Sequence, residues 1–580
     1  MRTRSDSWKQ PSSFQSKRLS ANTCLAQTLK PITTDTKLNR MRVITSGFVL
    51  LVSFGHLHHA SARPHAKYKK LTQPGWVEEV IVQMFEWDWD SIATECTDFL
   101  GPAGYGFVQG TPHLILVTID SSLLFNSKPP TGTCRGPSMV DRLSAGILQH
   151  YLETGEPAND DVLRSDTIFN HMSGREKGTG VAGSPFEHYS YPSIYGDSDF
   201  HHCGLTTDDQ IEDYTSRAQV QTCELLGLAD LATETEDVRA RLAQYGNDLI
   251  SLGVYGLRLD AAKHIAAADL DNITDRLTEI PYLTQEVIYG EGEPILPTEY
   301  TEIGDVQEFR YTTALKDAFL NGNLSWLIDL DRQKGWIEDE SANVFVANHD
   351  TERNGNSLNY RSPSHTYLNA MIFSLGYDYG TPTILSSYTF DEEEKTKVLQ
   401  IMVRKGSCEL DSDEDNSGWL CQHRWPAVVG MVGFRNRVNM MGLTDWFSPI
   451  PSRIAFGRGF GGFLAINNND TQWEETFNTS LKDGIYCDVI YRQPSANPLE
   501  CTGLQVKVTR GSFTAIVPEW GAIALHDGCM LEESEDIRKA VSFQSVFKYA
   551  TQGVLQIGGW ITTQMVIVLH NASSTRILTF

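Results

Sequence analysis

The stretch GVYGLRLDAAKH, residues 253–264, begins as a buried strand and ends in charge. Val254, Leu257 and Leu259 are apolar. Arg258 and Asp260 stand at period two, so an extended chain projects both from one face. Lys263 and His264 follow at once. Upstream, Val238, Leu242, Tyr245 and Leu249 recur at spacings of 4, 3 and 4, which is one face of a helix. Thr233 and Glu236 have the spacing of a capping box in front of it. Downstream, a helix is expected over about 262–278, leading to a strand in PYLTQEV, 281–287.

Working outward, VIVQMFEW (80–87), NVFVANHD (343–350) and TPTILSSY (381–388) also read as strands. Strands that alternate with helices predict a parallel sheet, and this length predicts a closed (β/α)8 barrel. From about 439 the pattern changes to short strands and turns: GGFLAINN, GIYCDVIY, LQVKVTR, SFTAIVP and GAIALHDG. These predict a separate antiparallel β domain over 439–527. Residues 528–580 carry no clear pattern, and the polar residues within GVLQIGGWITTQMVIVL argue against a membrane span there.

In a parallel barrel, reactive side chains gather at the carboxyl ends of the strands. Four strand ends here are polar. SDTIFNHM supplies Asp166, Asn170 and His171; GLRLDAAKH supplies Arg258 and Asp260; YLTQEV supplies Glu286; FVANHD supplies Asn348, His349 and Asp350. A lone polar strand end usually just meets solvent, but four in one barrel form a site. Three carboxylates in one mouth suit glycoside chemistry. Retaining hydrolysis needs an ionised nucleophile and a protonated acid about 5–5.5 Å apart. Arg258 beside Asp260 favours its ionised form, and the apolar strand around Glu286 favours its protonated form. Asp350 is left to grip sugar hydroxyls.

The chain has 580 residues and a formal net charge of −25, which disfavours nucleic acid and anionic membranes as partners. MRVITSGFVLLVSFGHLHHASAR, from Met41, has the basic, apolar, A-x-A order of a signal peptide over 41–62, too short for a membrane span. Residues 1–40 then read as a mis-assigned start, and the protein as secreted. Of ten cysteines, Cys203/Cys223, Cys408/Cys421 and Cys487/Cys501 form plausible local disulfides. No CxxC occurs, which argues against a zinc cluster. Sequons at Asn272, Asn323, Asn469, Asn478 and Asn571 allow N-glycosylation.

DTIFNHM, GLRLDAAKH, TQEV and FVANHD resemble, in order and spacing, the four signature regions of the α-amylase family of retaining glycoside hydrolases. VQMFEWDWDSIATEC, CQHRW, MVGFRN and IAFGRG are similar to secreted endo-acting members from animals, fungi and actinobacteria. The resemblance covers about 78–111 and 166–527. It implies Asp260 as nucleophile, Glu286 as general acid/base and Asp350 as transition-state stabiliser. It implies that His171 and His349 bind the sugar being cleaved, and that Lys263 and His264 meet the leaving-group side. It also implies a structural calcium held by side chains of Asn170 and Asp230 and by carbonyls of Gln221 and His264. A small B domain over about 172–232 would close over that ion, within a catalytic barrel spanning 63–438. The expected substrates are starch, glycogen and malto-oligosaccharides, and a monomer is expected.

Two departures stand out. Many relatives bind chloride with two arginines and an asparagine; Arg258 and Asn348 match two positions, but Thr383 takes the third, leaving chloride activation doubtful. Residues 112–165 lack the stacking tryptophans of relatives and the cysteine expected to pair with Cys96. That stretch reads like a shifted frame or retained intron, as do 1–40 and 529–580, and would disturb one barrel element. Two alternatives follow: an α-glucosidase or transglycosylase of the same family, or a non-catalytic barrel that binds glycans or a partner.

Overall fold

A computed structural model describes residues 79–110, 162–180, 184–251, 254–279, 282–390, 406–408, 418–491, 501–531, 566–571 and 574–579. The expected leader, residues 1–40 and nearly all of 112–165 lie outside them.

Eight parallel strands close into a barrel: β1 (Ile81–Met84), β2 (Phe107–Gly110), β3 (Val162–Ile168), β4 (Val254–Asp260), β5 (Tyr282–Gln285), β6 (Asp305–Gln307), β7 (Ala342–Phe345) and β8 (Thr381–Ser386). Ile81 of β1 pairs with Phe107 of β2 on one side and Thr383 of β8 on the other, which closes the ring. Strands such as β1 are buried throughout, as expected when side chains fill the barrel on one face and helices cover the other. The six strands read from the sequence are present, and β2 and β6 complete the expected eight. β2 and β3 pair in register from Phe107↔Val162 to Gly110↔Ser165, so the unusual stretch between them does not interrupt the barrel sheet.

The helix predicted from Val238 and Leu242 is α3, Glu236–Ser251, which buries Val238, Leu242, Ala243, Gly246 and Leu249. It follows α1 (Trp89–Glu95) and α2 (Arg217–Thr222) in chain order. Because it begins at Glu236, Thr233 lies before the cap position, and the expected capping box is displaced from its helix. Thr233 instead offers its carbonyl to Arg239 Nε at 3.0 Å.

The helix expected over 262–278 breaks into a 3-10 turn, Ala262–His264, and α4, Ala267–Thr274. The cause is local: Ala261 is left-handed at φ 48°, and His264 Nδ1 turns away to the Val220 carbonyl at 3.0 Å. The strand expected over 80–87 likewise stops at Met84, because Glu86 is left-handed at φ 61°. Helices α5 (Phe309–Asn321), α6 (Thr351–Asn354), α7 (Thr366–Gly376) and α8 (Pro426–Val438) complete the barrel's outer layer.

Between β3 and α3, residues 169–232 form a small excursion with a hairpin (Lys177–Thr179 with Pro185–Glu187), α2 and the Cys203–Cys223 disulfide. Its two ends are stitched together: Met172 N donates to Ala229 O at 2.8 Å and Leu231 N to Asn170 O at 2.9 Å. This is the B domain of the expected fold. After α8, antiparallel sheets enclose a second core containing Phe463, Trp473, Phe477, Tyr486 and Phe513. Arg458 fastens this domain to the barrel, donating through Nη1 to the Gly376 carbonyl at 2.9 Å and pairing with Asp378 at 2.5 Å.

The other two expected disulfides, Cys408–Cys421 and Cys487–Cys501, are also formed. The chain divides into two units, Met1–Met530 and Leu531–Phe580. Among its described residues, the second contains a hairpin, Val566–Asn571 with Ser574–Thr579. Among the described residues, no helix is long and apolar enough to cross a membrane.

Candidate active site

Arg258 is the hub of the site. It is only 1% exposed, and its guanidinium meets three carboxylates from three strands. Nη1 donates to Asp166 Oδ1 at 2.7 Å and to Asp260 Oδ1 at 2.5 Å. Nη2 lies 2.7 Å from Glu286 Oε1. That last approach is not along an N–H direction, so the contact is electrostatic and not a directed hydrogen bond. The period-two placement of Arg258 and Asp260 on β4 thus puts both where the sequence pattern expects, inside the barrel mouth.

Glu286 is fixed from the other side. Its backbone N donates to Leu259 O at 3.0 Å, and its carbonyl accepts from Lys263 N at 3.1 Å. Its Oε2 accepts from Ala261 N at 2.8 Å. The left-handed turn at Ala261 aims that N–H at the carboxyl. A non-glycine residue held there costs on the order of 1–3 kcal/mol, and such strain gathers at functional sites.

The environment separates the two carboxyls. Burial alone would raise Asp260, but the Arg258 guanidinium, with His171 and His349, outweighs it and holds the acid below its usual range. Glu286 is pushed up to about 8: burial dominates, Arg258 offsets it in part, and the charges of Asp260 and Asp350 add to it. Asp166 is also raised, chiefly by burial.

The β7 end adds Asn348, His349 and Asp350. Asn348 Oδ1 accepts from Asp350 N at 3.1 Å and Thr351 N at 2.8 Å, fixing the start of α6. Gln83 Nε2 lies 3.0 Å from His349 Nδ1, and the ring rests 5.1 Å from that of Phe85. Asp350 Oδ2 is 3.5 Å from His349 Nε2, and its side chain is 46% exposed, open to a ligand. His171, which follows β3, is buried, and burial lowers its pKa, offset in part by the charge of Asp260.

Lys263 Nζ donates to Ile288 O at 2.7 Å, pairs with Glu293, and lies 5.5 Å from the centre of the Tyr214 ring. Neither Glu293 nor Tyr214 was anticipated from sequence; both sit in loops whose text carries no periodic signal. Gln83 and Arg353 were missed too. Gln83 had a signal: it is a polar residue inside an apolar barrel strand. Arg353 does not: its guanidinium stacks over Phe85, Tyr388 and Phe390 at 4.5–5.2 Å, which only tertiary structure assembles.

The four residues expected around an ion form two local groups. Asp230 is 1% exposed; its Oδ1 meets Asn170 Nδ2 at 3.0 Å and its Oδ2 meets His201 Nδ1 at 2.6 Å. Burial raises Asp230 to about 6 despite His201. The His264–Val220 contact, with Tyr300 OH bonded to Ile265 O (2.7 Å) and approached by Gln221 Nε2 (3.3 Å), draws the 220–221 and 263–265 backbones together. His201 was not anticipated.

At the third chloride position, Thr383 Oγ1 accepts from Asn343 Nδ2 at 2.9 Å. Arg258 Nε and Asn348 Nδ2 are buried donors without a hydrogen-bond partner.

The model of the α-amylase C-terminal all-beta domain matches residues 449–528. The chain is 38% identical over 457 residues to an α-amylase of Streptomyces violaceus, an alignment covering 78% of this chain and 74% of that one. It is 37% identical over 454 residues to an α-amylase-related protein of Drosophila ananassae, covering 75% and 89%. Among solved structures, a mutant of α-amylase I from Eisenia fetida in complex with maltohexaose superposes with a TM-score of 0.65 at 29% identity, covering 78% of this chain and 97% of that one. The chain therefore belongs to the α-amylase family and is a glycoside hydrolase.

Proposed function

We propose that the chain is a secreted, endo-acting α-amylase that cleaves α-1,4-glucosidic bonds in starch or glycogen with retention of configuration. The observation that carries this reading is the geometry around Arg258, whose guanidinium meets Asp260 and Glu286 from two strands in surroundings that favour an ionised Asp260 and a protonated Glu286. Asp260 attacks the anomeric carbon while Glu286 gives its proton to the departing glycosidic oxygen. Glu286, now a carboxylate, takes a proton from water, whose oxygen displaces Asp260 and restores the starting configuration. Asp350, His349 and His171 bind the sugar being cleaved. Lys263, held between Glu293 and Tyr214, and His264 line the leaving-group side. The first test is stereochemical: proton NMR of a fresh maltoheptaose digest should show the α-anomer ahead of mutarotation. Release of the β-anomer would refute the assignment of Asp260 as nucleophile. Short oligosaccharides early in the digest, not glucose alone, would separate it from an α-glucosidase.

The pH dependence follows from the same division. Catalysis needs Asp260 ionised and Glu286 protonated. Activity should therefore persist to acidity below the ordinary carboxylate range and fall on the alkaline side as Glu286 loses its proton near pH 8. A kcat/KM profile read from pH 3 to 10 checks both limbs; an alkaline limb near the ordinary carboxylate range would remove Glu286 from the acid role.

Calcium suits the Asn170–Asp230 cluster. A buried carboxylate and an amide whose oxygen a half-turn of the side chain would present, with the carbonyls that the family resemblance adds at Gln221 and His264, would form an oxygen-only donor set. Bound there, the ion would tie the B domain to the barrel. Raising free Ca²⁺ from chelator levels to 100 times its Kd should add about 2.7 kcal/mol of stability. Calorimetry with and without EDTA reads this directly. At the chloride position, neutral Thr383 leaves activation by that anion doubtful. Sequons Asn323 and Asn478 are exposed, which suits glycosylation of a secreted protein.

A further inference from the structure

A second cluster of titratable groups lies away from Arg258. Glu95 ends α1, and His423 lies in the turn before α8. His423 is fully buried and Glu95 is 4% exposed. His423 Nε2 is 2.7 Å from Glu95 Oε1, and Nδ1 is 2.7 Å from Ser386 Oγ. Arg424 grips the same carboxylate, with Nε 2.6 Å from Oε1 and Nη2 2.5 Å from Oε2. The Cys408–Cys421 disulfide stands beside them, with Cys408 Sγ 3.9 Å from His423 Nε2. Ligand atoms of Glu95, Cys408 and His423 all lie within 4.8 Å of one another.

We propose that opening the Cys408–Cys421 disulfide converts this cluster into a binding site for one zinc-class divalent cation, with both thiolates, His423 Nε2 and Glu95 Oε1 as ligands. A dithiol reductant supplies two electrons and two protons and becomes a disulfide itself, leaving two thiols where the S–S bond was. The cation then displaces both thiol protons to solvent. His423 moves its proton from Nε2 to Nδ1, where Ser386 Oγ accepts it, so the ring presents a lone pair to the ion.

Three features support the site. Ser386 orients the imidazole from behind, as outer-shell partners do for ligating histidines. Charge balances: two thiolates and Glu95 offset the cation and Arg424. Sulfur and nitrogen donors select a soft or borderline ion, in contrast to the oxygen-only set around Asp230. In the closed form the sulfurs carry no charge and the site is silent. No CxxC marks it, because Cys421 and His423 are close in sequence but Glu95 arrives from the other end of the chain.

The test uses the full-length protein, treated with a phosphine or dithiol reductant without denaturant and titrated with Co²⁺. The reduced wild type should develop thiolate-to-cobalt charge-transfer bands and tetrahedral visible bands for one ion, displaced by Zn²⁺ and not by excess Ca²⁺. The oxidised protein should show neither. The double variant Cys408→Ser/Cys421→Ser, which keeps every other cysteine, should lose the bands. Ser386→Ala should keep them with affinity weakened roughly 10–100-fold. Zn²⁺ should also raise the melting temperature of the reduced wild type, a readout that holds even if reduction loosens the fold. Equal bands in the double variant would overturn the proposal. So would their absence, with no thermal shift, in protein whose two thiols are shown to be free.

Discussion

Glu286→Gln should lower kcat on starch by roughly 10²–10⁴-fold, the usual worth of a positioned general acid, while leaving starch binding nearly unchanged. The amide keeps the shape of the side chain, and its oxygen can still accept from Ala261 N. A neutral amide replaces a carboxyl that is itself held neutral, so the fold should not suffer from the change. What disappears is a proton that the environment holds on the carboxyl to about pH 8. An aryl maltoside with an acidic phenol should lose less in the first step, because its leaving group departs without protonation. Iodine–starch clearing beside a pull-down on insoluble starch gives activity and binding together. If the variant clears starch at half the wild-type rate, Glu286 is not the acid. If the folded, calcium-loaded wild type binds without clearing, the non-catalytic reading takes over.

Arg258→Gln should have the largest combined effect on stability and rate. Removing one partner of a buried ionic cluster costs about 3–5 kcal/mol, since the remaining charges stay buried without compensation. Here Asp166 and Asp260 would lose the cation they share. They would then repel, and Asp260, relieved of its main stabilising charge, would take up a proton and cease to be a nucleophile. Both chemical denaturation and kcat should fall, with the acid limb of the pH profile moved upward. Arg258→Lys should recover only part of either: an ammonium is a point charge and cannot hold Nη1 and Nη2 contacts in two directions at once. A variant of wild-type stability and unchanged acid limb would show that Asp260 is kept ionised by something else.

Much of the site is legible along the chain because strand geometry is short-range. Alternation on β4 sets Arg258 and Asp260 on one face whatever the rest of the molecule does. The ends of β3, β5 and β7 announce themselves as apolar runs that stop in Asn170–His171, Glu286 and Asn348–His349–Asp350. Three disulfides follow from cysteines close in sequence. What escaped notice has the opposite character. Glu293 reaches Lys263 and His201 reaches Asp230 from loops that have no period, and the Arg353 cage draws on Phe85, 268 residues earlier in the numbering. The helix expected over 262–278 broke where Ala261 turns left-handed and aims its N–H at Glu286, and where His264 meets Val220 of the B domain, partners distant in sequence that no local propensity reports.

The amino-acid order by itself determined the barrel, the C-terminal β domain and the set of polar residues at the strand ends, since each is a consequence of periodicity within a few residues; the B domain was legible only through the family resemblance. Arg258 beside Asp260 and the apolar strand around Glu286 already pointed to which acid is ionised, but how far each is shifted was decided only by tertiary structure. Ionisation depends on burial and on charges brought close in space: Asp166 meets Arg258 across 92 positions of chain, and Glu286 shares that same guanidinium from another strand. A proton's affinity for a side chain is a property of its surroundings, and those exist only once the barrel has closed.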